Sequence, residues 1–141
     1  MQQHLLRVRG PVVKFERLIA ALRQERAKVG WLELGDSALS EAPRVDRESL
    51  EAAAGFGVLR AVAIGGGRTV AIKPMRGAPV LRDVLREHYR GCCLVLVEGE
   101  VDAPELEPDG ETWLITVGDR AAKRWTTEKL IAALRRPSPW D

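Results

Sequence analysis

Three consecutive glycines, Gly65-Gly66-Gly67, separate two runs of strand-forming residues. The runs are Val58-Leu59-Arg60-Ala61-Val62-Ala63-Ile64 and Arg68-Thr69-Val70-Ala71-Ile72-Lys73. Glycine takes positive φ without steric cost, so a glycine turn between two such runs predicts a β-hairpin. A three-residue loop pairs Ile64 with Arg68, Val62 with Val70 and Arg60 with Ile72. That register collects Val58, Val62, Ile64, Val70 and Ile72 on one face, and Leu59, Ala61, Ala63 and Ala71 on the other. Both faces are then mainly apolar, which predicts a hairpin inside a sheet, covered on both sides. A two-residue loop at Gly66-Gly67 would mix the two stripes and is disfavoured on that ground.

The rest of the chain alternates helix and strand signals. Residues 4–9 read as a short strand. Pro11 suits a helix start, and Phe15, Leu18, Ile19 and Leu22 keep the stripe of an amphipathic helix. Gly30 is the expected stop, followed by a strand at Trp31 to Leu34. Residues 36–46 read as a loop, Asp46 as the cap of a short helix to Ala54, and Gly55-Phe56-Gly57 as its break. Helix 78–90 carries Val80, Leu81, Val84, Leu85 and Tyr89 on one face, and Gly91 ends it. Cys92 to Val97 is a near-continuous apolar run and predicts a buried strand. Residues 99–110 read as an acidic, proline-containing loop. Strands are expected at Thr112 to Val117 and at 121–125. Thr126 caps a last helix with Glu128 in its first turn, Leu130, Ile131 and Leu134 inward, and Pro137 at its end.

The expected whole is an α+β fold: a mixed, largely antiparallel sheet of about five to six strands with about three to four helices. The hairpin near 58–74 is expected at its centre. A length of 141 residues suits one domain, expected over 1–137. The tail 138–141 is expected to be loose, with Trp140 able to dock. The chain is 45% hydrophobic and 30% charged, which excludes disorder over its whole length. No apolar run reaches the length of about 18 residues that a membrane helix needs. Met1 to Arg9 lacks the apolar core of a signal peptide. The two cysteines are the vicinal pair Cys92-Cys93, poorly placed to bridge each other, so a reducing cytoplasm is expected.

Several short patterns invite chemistry. Gly55-Phe56-Gly57 followed by Val70-Ala71-Ile72-Lys73, with Glu87 on the next helix, resembles parts of a protein-kinase N-lobe. The third loop glycine is absent, no HRD or DFG follows, and the remainder is too short for a second lobe. Gly65-Gly66-Gly67-Arg68-Thr69 joins two strands, whereas a phosphate loop opens a helix. His88, Cys92 and Cys93 fall short of a zinc set, and only His4 remains to complete one. The same residues with an acid such as Glu33 would suit a small enzyme with dispersed site residues. No cofactor and no metal site is expected.

Charge supplies the main functional lead. The net charge is +2, but eight acids and no base lie between Glu98 and Asp119, and six bases and one acid between Arg120 and Arg136. The plain account is an acidic loop lying against a basic strand and helix. Arg82, Arg86 and Arg90 recur at i+4 on the 78–90 helix, with Asp83 and Glu87 beside them. Arg120, Lys123 and Arg124 adjoin Trp125, a grouping suited to phosphate contact with base stacking. These seven residues are the expected binding set. With no nucleophile–base pair or cofactor loop in view, the expected function is a non-catalytic binding or regulatory module. Such an accessory subunit or adaptor would bind another protein or a second copy, away from membranes. Nucleic-acid binding through the arginine ridge and the basic 120–136 segment is the alternative. A small enzyme around His88 and Cys92 is the second.

Overall fold

His4–Val8 alternates buried and half-buried residues and forms β1. A 3-10 turn at Val12–Phe15 then leads into helix α1, Glu16–Gln24, which buries Leu18 and Leu22. Strand β2 is Val29–Glu33. The hairpin strands are β3, Ala61–Gly65, and β4, Arg68–Ile72. Helix α2 spans Leu81–His88, and β5 spans Leu94–Glu98. Strands β6 (Glu105–Asp109), β7 (Thr112–Thr116) and β8 (Lys123–Trp125) precede helix α3, Thr127–Ala133. This computed structural model describes residues 2–33, 61–65, 68–72, 77–78 and 80–141. The expected loop, helix and break over 36–57, and Lys73, lie outside those residues.

The six-stranded sheet runs β2-β5-β1-β6-β7-β8. The fold is α+β and the sheet is mixed, but it is not largely antiparallel. β5 pairs in parallel with both β2 and β1, and β1 pairs in parallel with β6. Only β6-β7 and β7-β8 are antiparallel. The expectation extended the hairpin's pairing to the whole sheet. In fact α1 carries the chain from β1 over to β2, leaving a gap that β5 later fills.

Parallel neighbours ordinarily need a long crossover. Here residues 99–104 suffice between β5 and β6, because β6 starts level with the end of β1: Arg7 lies opposite Glu105 and Val8 opposite Leu106. Arg7 fixes the crossing segment. Its N–H donates to the Pro104 carbonyl at 2.8 Å, and its guanidinium donates to Glu105 at 2.6 Å and approaches Glu100 at 3.8 Å.

One face of the sheet carries Leu6, Val8, Leu94, Leu96, Leu106, Trp113 and Ile115, all buried. They form one core with Phe15, Leu18 and Leu22 of the α1 region and with Leu130, Ala133 and Leu134. At a rate of about 0.8 kcal/mol per buried methylene, this apolar layer is the main source of stability. Thr126 caps α3 as expected, its hydroxyl accepting from the Lys129 N–H at 3.3 Å.

By contacts the chain divides into two compact units, Met1–Gly35 with Arg86–Asp141, and Asp36–Leu85. The six-stranded sheet belongs to the first. The hairpin belongs to the second and is a separate two-stranded sheet, not the centre of the large one. Its register also differs from expectation: Gly65 pairs with Arg68, Ala63 with Val70 and Val62 with Ala71. Gly65 therefore serves as the last residue of β3 and not as part of the turn. The two stripes are mixed, and Thr69 and Ala71 are exposed. A hairpin outside the large sheet has no need of two apolar faces.

Three further expectations change. The acidic stretch 99–110 contains β6, closed on β7 by Gly110-Glu111, with Gly110 at φ +61°. Pro108 is tolerated because β1 pairs only with Glu105 and Leu106, so one edge of β6 has no ladder to lose there. Gly30 does not stop α1, which ends at Gln24. It lies within β2, where a Cβ would collide with the Tyr89 ring. The 138–141 tail is not loose at its end. Trp140 is buried, edge-on to Trp125 at 5.6 Å, and the Pro139 carbonyl accepts from Arg136 at 2.9 Å.

Candidate interaction surface

The seven residues of the expected binding set fall into separate settings. Arg82 and Arg86 are exposed one turn apart on α2, and Arg90 is exposed beyond the helix end. Asp83 and Glu87 are interleaved with them and equally exposed. Asp83, Arg86 and Glu87 each engage another group, so the ridge is an array of mixed sign. Lys123 and Arg124 are successive strand residues and project to opposite faces of the sheet. Arg124 is held at 2.6 Å by Asp109 and at 2.6 Å by the Thr112 hydroxyl. Arg120 stands 3.9 Å from Asp141. Trp125 is half-buried against Trp140, and its indole N–H is buried without a partner.

The cysteine region is also structural in its contacts. The Cys93 thiol donates to the Lys28 carbonyl at 3.4 Å, and burial pushes it above the ordinary thiol range. A thiol held protonated is a poor nucleophile. Cys92 is a half-buried free thiol. Its sulfur would lie 3.5 Å from a Cβ on Gly30. His88 is exposed, 3.9 Å from Glu87. Among the described residues, no group of three or more His, Cys, Asp or Glu side chains is placed to hold a metal ion. No described helix is long and apolar enough to cross a membrane.

Two of the tryptophans meet at the core. Trp113 is buried and stacks on Phe15 at 6.0 Å, and Trp31 packs on the same Phe15 at 5.8 Å.

Among the described residues the exposed large apolar side chains are Val80, just before α2, and the adjacent Val12 and Val13, on the outer side of the 3-10 turn. Val12 is 45% exposed and Val13 65% exposed. With Glu16, Ile19, Ala20 and Arg23 they line a groove of about 360 Å³. The helical period explains the groove. Phe15, Leu18 and Leu22 point into the core, and Val12, Glu16, Ile19, Ala20 and Arg23 form a second stripe along the same rod. The other cation on this helix, Arg17, is used locally: it donates to the Gly110 carbonyl at 3.0 Å and lies over the Trp113 ring at 5.6 Å.

Ile19 lies between the two stripes, half-buried against the core and lining the groove. The signal was present in Val12-Val13 preceding a helix whose core stripe was already complete at Phe15. No protein-family model matches this chain, and no curated protein sequence matches it.

Proposed function

We propose that this chain is a non-catalytic binding module that works by protein–protein contact through the α1 face, in a reducing, cytoplasmic setting. The observation that carries this reading is the pair of neighbouring valines, 45% and 65% exposed, at the mouth of a largely apolar groove. Isolated surface hydrophobics are ordinary, but adjacent ones opening onto a groove mark contact sites. The groove lies on a helix packed against a sheet, so its shape is fixed before a partner arrives. Nucleic-acid binding is less favoured, because acids interleave the α2 arginines, Arg120 and Arg124 lie beside Asp141 and Asp109, and Lys123 projects to the opposite face from Arg124.

The test is a photo-crosslinking residue placed at Val13 in the source cell, with Glu107 as an exposed control on the sheet. The expected result is a discrete protein adduct at position 13 and none at 107. No adduct at 13, or equal yields at both positions, would overturn the reading.

A further inference from the structure

We infer that the occupant of the α1 groove is a second copy of this chain, docked about a two-fold axis that passes between Ile19 and Ala20. This rests on the α1 face being a protein-contact surface and adds the identity of the partner. Glu16 and Arg23 flank the groove, one on each side of Ile19-Ala20, three positions from the nearer of them. They stand about 10 Å apart along the helix axis, too far to pair within one chain. Neither side chain makes a hydrogen bond or ion pair among the described residues, whereas the Arg17 side chain on the same helix makes both a hydrogen bond and a ring contact.

An antiparallel copy centred at the Ile19–Ala20 junction brings Glu16 opposite Arg23 of the second copy, and Arg23 opposite its Glu16. The same operation sets Ile19 over Ala20 of the second copy and Ala20 under its Ile19, a large residue against a small one on each side of the axis. Such a contact is isologous and closes at two subunits. Charge and size are thus both self-complementary about one point. A partner of unrelated sequence would have to match the two signs and the two sizes separately.

The interface is one helix wide, below the standard size of about 800 Å² per partner. A dissociation constant between about 1 μM and 1 mM is therefore expected. Sedimentation equilibrium of the full chain across that range tests it with three variants. Glu16→Arg alone and Arg23→Glu alone each set like charges opposite each other twice, and should weaken the dimer about tenfold or more. The double variant E16R/R23E restores opposite signs and should dimerise like wild type. The decisive measurement mixes the two single variants: in a mixed pair every contact is attractive, so a one-to-one heterodimer should form where neither alone associates. Both substituted positions, Glu16 and Arg23, are exposed, and circular dichroism verifies that each variant is folded.

A wild-type chain that stays monomeric at about 1 mM overturns the inference, as does a dimer indifferent to the single reversals or a mixture that forms no heterodimer. These failures are separable from failure of the contact-module reading. An adduct at Val13 to a different protein would leave that reading standing while excluding the second copy. Absence of any adduct would remove both.

Discussion

The parallel and antiparallel halves of the six-stranded sheet solve burial differently. At the parallel end, β5 lies between β2 and β1, and Leu94, Val95, Leu96 and Val97 are all 0% exposed. At the antiparallel end, β7 alternates: Trp113 and Ile115 are buried, and Thr112, Leu114 and Thr116 are half-buried. β6 buries Leu106 and exposes Glu107. Parallel strands in mixed folds are covered on both faces, whereas antiparallel ribbons can leave one face to water. The acids of Glu98 to Asp119 can therefore sit in strands without entering the core. An acid-rich segment is excluded from the fully buried centre of β5, not from the sheet.

The largest test of this contrast is a matched pair of truncations. Leu96→Ala removes a side chain buried at the centre of the parallel half, and should cost about 2–5 kcal/mol. Leu114→Ala removes the same atoms from the half-buried face of β7, and should cost under about 1.5 kcal/mol, in proportion to the smaller apolar area lost. Urea unfolding followed by tryptophan fluorescence measures both. All four tryptophans, Trp31, Trp113, Trp125 and Trp140, belong to the unit that holds this sheet. Equal costs would mean that the two halves are buried alike.

The same contrast explains what the sequence discloses. The β5 strand is legible as an unbroken apolar run from Cys92, and α1 and α3 are legible from their stripes and the Thr126 cap, because these signals are local. Its partners are not legible: nothing within Leu94–Glu98 says that β1 and β2, far away in sequence, will flank it. β6 was missed for a different reason. Its acids and Pro108 mimic a loop, and the turn at Gly110-Glu111 carries only a single glycine as its signal. The three-residue register would follow from burial of both hairpin faces, and Thr69 and Ala71 are exposed. Of the candidate contact surface, only the core-facing stripe of α1 was legible. The outer stripe has meaning only once Phe15, Leu18 and Leu22, with Ile19 at their edge, are seen to supply the core side of this helix.

Close approach of covering groups should also be confined to the parallel half. Gly30 in β2 is the clearest instance: a Cβ there would meet the Tyr89 ring, standing 2.9 Å from its Cε1. The Tyr89 hydroxyl donates to the Trp31 carbonyl at 2.7 Å, so the ring cannot move away without loss of that bond. Gly30→Ala should therefore cost about 1–3 kcal/mol, the range for overpacking. In a Tyr89→Ala background the same substitution should be close to neutral, giving a coupling of at least about 1 kcal/mol in a double-mutant cycle. An additive cycle would show that Tyr89 is not what limits the approach to β2.

The smallest effect is expected where the antiparallel half meets solvent. Arg124 on β8 reaches across to Asp109 and Thr112, both contacts at 2.6 Å. The distances are short, but the side chains are 58% and 45% exposed. Water screens such a pair, and ordering the arginine offsets part of the attraction. Arg124→Ala should therefore cost no more than about 1 kcal/mol. The sign of its salt dependence carries the argument further. At about 1 M salt the screening length falls to about 3 Å, and wild type should lose its small advantage over the variant. The Leu96→Ala deficit should stay the same or grow, since burial of apolar area is not screened. A cost at Arg124 of several kcal/mol, undiminished by salt, would place this ion pair inside the core and remove the distinction between the two halves of the sheet.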